Sequence, residues 1–243
     1  SEMCIRDRNY TYKYGEKVRG FQWNKIIMQI DSLVAFENDV HEFGALNNYR
    51  NRNGWAPMAD SAQQDIHYRE VQDKYEVRRN QSVPLYVENK LTVPECYGRD
   101  GALVAIDRDS AGYLWVRMAA FKGEWIVPAK YVDRLGGADF RKLIFVDRSN
   151  QNVVTVEQGD TAWFIRSMNP VTTGVKRPPF HWETPVGIYV VRGKLKKMYY
   201  LHDGNSEVAG YAPWATRFSG GAYLHGVPVA YPDKTVYEYS CLL

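Results

Sequence analysis

Apolar positions in the first part of the chain recur with a helical period. In "NKIIMQIDSLVAFENDVHEF" Ile26, Ile30, Leu33 and Val40 are spaced by four, three and seven residues, which predicts one face of an amphipathic helix. Gly44 is its expected stop. The polar link "NNYRNRNGWAPMAD", with Asn53-Gly54 and Pro57, reads as loop, and "SAQQDIHYREVQDKYEV" predicts a second, weaker helix. His41 and His67 fall in these stretches and read as solvated or capping side chains. From Val83 to Leu135 the period drops to two. "VPLYVEN", "ALVAIDRD", "YLWVRMAAF" and "GEWIVPAKYV" are short strand patterns divided by Gly98, Asp100-Gly101, Ala111-Gly112 and Lys122-Gly123. Short strands at that density need closure to hide their edges, so a small barrel is predicted. Beyond Gly136-Gly137, "RKLIFVDRSNQNVVTVEQGDTAWFIRSMN" alternates as a three-stranded meander turning at Arg148-Ser149-Asn150 and Gln158-Gly159. A hairpin turning at Arg192-Gly193 is predicted next, and the sheet continues past Gly220-Gly221 into "AYLHGV".

Composition supports a fold that is mainly β with an N-terminal helical region. The 243 residues are 45% apolar and 14% aromatic, rich in Tyr and Trp, and long enough to bury a sizeable core. The formal net charge is only +3 and the basic residues are dispersed, which speaks against nucleic acid as a partner. Three cysteines, Cys4, Cys96 and Cys241, stand far apart without metal-ligand spacing, so no zinc site is expected. No apolar run reaches the ~18 residues of a membrane span, and no secretory signal layout is present at the start. "SEMCIRDR" at the start and "CLL" at the end resemble translated sequencing-adapter sequence, so residues 1–21 are expected to be a non-native or disordered start. Natural termini are the alternative.

Two resemblances sharpen this picture. The segment 83–136 resembles a bacterial SH3-type domain, a module that accompanies cell-wall enzymes. Trp115, Trp125, Tyr97 and Tyr131 then either line a glycan or peptide groove or pack the barrel. Further on, "KLIFVDRSNQNVVTVEQGD", "SMNPVTTGVKRPPFHWETPVGIYVV" and "GGAYLHGVPV" follow in order the opening strand pair, the Thr-Thr-Gly, the Thr-Pro-x-Gly-x-aromatic and the His-Gly segments of the L,D-transpeptidase (YkuD-like) catalytic domain. The likeness spans residues 141–240. It implies four parts: the start at 1–21, a helical region at 22–82, the SH3-like barrel at 83–136 and, at 139–243, an incomplete antiparallel β-sandwich of the L,D-transpeptidase type.

The same resemblance implies a chemistry, one for which no metal or organic cofactor is implied. Members of the family cleave a peptidoglycan tetrapeptide stem before its terminal D-alanine, through a cysteine thiolate, and pass the acyl group to an amine of another stem. A thiol mostly protonated at neutral pH needs an imidazole to take its proton. His225 matches the family histidine as general base, Gly226 supports it, and Tyr223 either lines the acyl-donor groove or packs. A hydrogen-bonded strand histidine is the other reading of His225. Thr173-Gly174 and Thr184-Pro185-x-Gly187 read as turn-forming. The family's Ser-His-x-Cys-x-Arg segment is missing: Cys241, sixteen positions after His225, follows Tyr239-Ser240 and precedes Leu242-Leu243. The chain is therefore expected to be a fragment ending before its nucleophile and inactive as it stands, from a protein of the cell envelope, periplasmic or extracytoplasmic, with peptidoglycan stem peptides and glycan as partners. A non-catalytic peptidoglycan-binding protein is the alternative.

Overall fold

A computed structural model describes residues 10–14 and 16–232, so Cys4, Cys241 and residues 1–9 of the expected foreign start lie outside the described residues, while later in that start Thr11–Tyr14 and Lys17–Gly20 pair as antiparallel strands. The chain divides into two compact units. One joins the described residues up to Asp39 with Asp139–Val175, and the other joins Val40–Ala138 with the described residues from Lys176 onward. Among the described residues the fold is mainly β, with one α-helix near the N-terminus and several antiparallel sheets.

The first unit is built around the helix Trp23–Asn38, whose buried residues Trp23, Ile26, Ile30 and Leu33 lie on one face, as the period required. The helix has no side-chain cap and no acidic residue in its first turn, so packing must hold it. Its partner is the meander Lys142–Asp147, Asn152–Gln158 and Trp163–Pro170, which presents Val154, Val156 and Trp163 to the same cluster. The predicted turns form. Asp147 accepts the N–H groups of Ser149 and Asn150 at the first, and Gly159 N–H reaches the Ala162 carbonyl at the second.

The second unit corrects the expected helical content of residues 40–82. The helix stops at Asn38, and Gly44 lies inside the strand Phe43–Leu46 instead of after a helix. This strand is inserted between Leu103–Ser110 and Val132–Gly136, so close to the latter that a Cβ on Gly44 would meet Val132 Cγ1 at 2.7 Å. No helix forms at 61–77. Gln63–Asp65 and Glu70–Gln72 make a short hairpin, because Asp65 captures the N–H groups of His67 and Tyr68, and Asp73 captures those of Tyr75 and Val77. Acidic side chains that bond nearby backbone compete with helix formation.

Five strands run in the order Glu124–Pro128, Tyr113–Met118, Leu103–Ser110, Phe43–Leu46 and Val132–Gly136. The hairpin Ser82–Leu85 with Cys96–Arg99 joins them through Tyr86 and Ile126, which exchange both backbone hydrogen bonds. Val83, Leu85, Val104, Leu114, Val116 and Val127 fill the interior. The predicted hairpin at Arg192-Gly193 does not form. Ile188 and Val190 instead bond the backbone of Leu103 and Gly101, and Gly193 opens the strand Gly193–Leu201, whose partner is Val208–Ser219. Ala222–Leu224 and Val229–Ala230 also pair with Val208–Ser219, the former after the turn at Gly220-Gly221.

Candidate functional site

Val208–Ser219 and Ala222–Leu224 position the predicted residues, all within the second unit. Tyr223 pairs in register with Arg217. Strand structure ends at Leu224, so His225 directly follows the strand. His225 is exposed, which removes the reading as a buried strand histidine. Its Nδ1 lies 2.8 Å from the Gly226 carbonyl oxygen. A carbonyl only accepts, so Nδ1 carries the proton in this contact and Nε2 of the neutral ring keeps its lone pair. Gly226 is fixed by its own N–H, which donates to Pro213 O at 2.8 Å, and a Cβ there would stand 3.0 Å from the Pro213 ring. Space beside Pro213 is thus the local reason for glycine.

Tyr223 is half-buried, with its hydroxyl 3.1 Å from that of Tyr49. Burial pushes the phenol up to about 12, the Tyr49 hydrogen bond adds to this, and the guanidiniums of Arg217 and Arg50 oppose it. Arg217 lies over the Tyr49 ring, with Cζ 4.1 Å from the centroid. Its Nη1 donates to Asp100 Oδ2 at 2.6 Å. The Asp100 side chain is 0% exposed and also accepts the N–H groups of Asn48 at 2.8 Å and Gly220 at 2.9 Å. A buried carboxylate is tolerable only when paired and hydrogen-bonded, and both conditions are met here. Next to it Gly101 has φ +84, and a Cβ would fall 1.9 Å from Phe218 O, so only glycine permits this approach. The turn Asp100-Gly101 therefore anchors the strand end that leads to Tyr223 and His225.

Sequence reasoning missed Tyr49, Asp100 and Arg217. Asp100-Gly101 carried a turn signal that hid a buried ion pair, and Tyr49 sat in a stretch read as loop. It also missed Trp214, which is 72% exposed and holds φ +52 directly after Pro213. Ala212 and Ala215, three apart on either side of that left-handed residue, are both buried.

Other expected candidates fall away from the site. Trp125, Tyr97 and Tyr131 are buried, and the Tyr97 hydroxyl bonds Pro57 O and Ala59 N–H, so these three pack and line no open groove. Trp115 carries Arg108 over its ring at 3.6 Å. Thr173 bonds Gln151 through N–H and hydroxyl, in a stretch without an assigned turn. Cys96 is fully buried, and burial raises its thiol to about 12, the opposite of an activated nucleophile. Among the described residues no three or more His, Cys, Asp or Glu side chains gather as a metal site, and no helix is long and apolar enough to cross a membrane.

Residues 141–239 match the sequence model of the L,D-transpeptidase catalytic domain, YkuD. The match begins in the first unit and continues in the second. No curated protein and no solved structure matches the chain. The chain therefore carries, at 141–239 and with the ordered strand, Thr-Thr-Gly and His-Gly motifs found there, a segment that matches the L,D-transpeptidase (YkuD) catalytic domain.

Proposed function

We propose that the chain carries the histidine half of a peptidoglycan L,D-transpeptidase site. The observation that carries this reading is His225 itself, exposed, with Nδ1 turned to a carbonyl and Nε2 left able to accept a proton. In the reaction the family performs, a thiolate attacks the stem carbonyl, D-alanine leaves, and an amine of a second stem takes the acyl group. His225 Nε2 would receive the thiol proton and return it to the leaving amine. Gly226, clamped to Pro213, sets the backbone that orients the ring. Trp214 offers an exposed flat surface on the strand that holds Gly226.

The nucleophile is the open position. Cys96 is excluded by burial, and Cys241 lies outside the described residues in a context without Ser-His before it or Arg two residues after it. Removing the nucleophile from a unit that acts together costs about a millionfold in rate in a serine protease series. The 243 residues are accordingly proposed to bind wall material without turning it over. The segment at 83–136, joined by Phe43–Leu46, is proposed as an SH3-like module beside the catalytic domain at 139–243, and the cell envelope as the location, periplasmic or extracytoplasmic.

Incubation with purified peptidoglycan tests the reading. The chain should sediment with the wall and release no D-alanine by mass spectrometry. Failure to sediment would remove the peptidoglycan reading. Release of D-alanine that disappears in Cys241→Ser would make Cys241 the nucleophile and overturn the proposed inactivity.

A further inference from the structure

Tyr49 and Arg50 lie outside the family-matching segment, yet they stand against Tyr223 and Arg217 inside it. Their backbone is unusual. Arg50 and Asn51 are consecutive non-glycine residues in the left-handed region, with φ 55 and 54, and Gln81 opposite them has φ 57. Such residues persist only where surrounding bonds over-determine them. Here Arg50 N–H donates to Gln81 Oε1 at 2.9 Å, Gln81 N–H donates to Asn51 Oδ1 at 2.8 Å, and Asn51 Nδ2 donates to Asn80 Oδ1 at 2.9 Å. The reciprocal lock has no packing purpose at Arg50, whose side chain is exposed.

Charge points to what the lock presents. Arg217 is neutralised by Asp100, whereas the Arg50 guanidinium makes no ion pair among the described residues. Both guanidiniums face the Tyr49 ring, with Cζ 4.1 Å from the centroid for Arg217 and 5.2 Å for Arg50. Both also act on the Tyr223 phenol, where they oppose the larger upward push of burial. One spare positive charge with a planar fork of donors thus lies beside a pair of phenols, of which one donates to the other and the second keeps its proton free to donate. Guanidinium and hydroxyl donors set together match a carboxylate.

We propose that Arg50, with the Tyr49 and Tyr223 hydroxyls, forms a subsite for a carboxylate of the peptidoglycan stem peptide. The subsite is contributed largely by residues upstream of the catalytic domain, so that the upstream region takes part in substrate selection. This rests on the peptidoglycan reading above.

Calorimetry on the whole chain tests it, with a synthetic tetrapeptide stem ending in D-alanine and the same peptide with every carboxylate amidated. The free acid should bind roughly tenfold or more tightly than the amide, as for a lost charge-assisted hydrogen bond. Arg50→Gln should weaken the acid by the same factor and leave the amide unchanged, with partial recovery in Arg50→Lys. Peptides amidated only at the terminus or only internally then identify which carboxylate is held. Equal binding of acid and amide, or an Arg50→Gln that binds the acid like the parent, would overturn the subsite and leave the peptidoglycan reading standing. No binding of either peptide would overturn both. Arg50 is exposed, and thermal melting of Arg50→Gln checks that the fold is retained.

Discussion

Val154, Val156 and Trp163, in the first part of the family segment, are buried with Trp23, Ile26 and Ile30 of the N-terminal helix. Arg217, in its second part, is tied to Asp100 by a buried ion pair and to Tyr49 by a stacked guanidinium. Both parts rely on chain that precedes the segment, but on forces of different kind. Apolar burial is tolerant: a hydrophobic residue of similar size serves nearly as well. A buried pair is not, because removing one partner leaves the other charged and unsolvated. The polar anchor holds the strand end that leads to the candidate histidine, where geometry matters most.

Breaking the anchor should have the largest effect. Asp100→Ala strands Arg217 and leaves the N–H groups of Asn48 and Gly220 unpartnered, and a cost of about 3–5 kcal/mol in urea denaturation is expected. Ile30→Ala, at a site 1% exposed in the first unit, should cost about 2–5 kcal/mol by the same measurement, toward the lower end if the meander closes on the cavity. Tyr223→Phe removes one hydroxyl of a pair and should cost about 1 kcal/mol.

The smallest effect sharpens the comparison through pH. Partial burial pushes the Asp147 carboxyl up, but hydrogen bonds from Asn150, Gln22 and Ser149 outweigh it and hold the pKa below the usual carboxylate range. A folded-state pKa below the unfolded value of about 3.9 gives stability that is present above that pH and is lost as pH falls through the folded pKa. Acid titration of the first unit, followed by amide exchange at Val154 and Val156, should show this loss. Asp147→Asn should flatten it.

Legibility in the sequence follows the same division. The helix face Ile26, Ile30 and Leu33, the alternation of Val154 and Val156, and the turns at Arg148-Ser149-Asn150 and Gly220-Gly221 were readable, because burial and turn chemistry leave periodic or local marks. The strand Phe43–Leu46 was not, since it is buried throughout and shows no alternation. Nor was the absence of a helix at 61–77, where Asp65 and Asp73 redirect the backbone through bonds that periodicity does not weigh. His225, Gly226 and Tyr223 were reachable through their motif order. Asp100, Arg217, Tyr49 and Arg50 were not, because their relation exists only after distant segments meet.

Hydrogen exchange read by mass spectrometry in Asp100→Asn tests most directly whether a polar anchor from outside the segment holds the histidine-bearing strands. The account predicts faster exchange at Asn48 and Gly220 and through the strand pair around Arg217 and Tyr223, with Val154, Val156 and the helix Trp23–Asn38 unchanged. Unaltered exchange at Asn48 and Gly220, or an equal loss across both units, would contradict it.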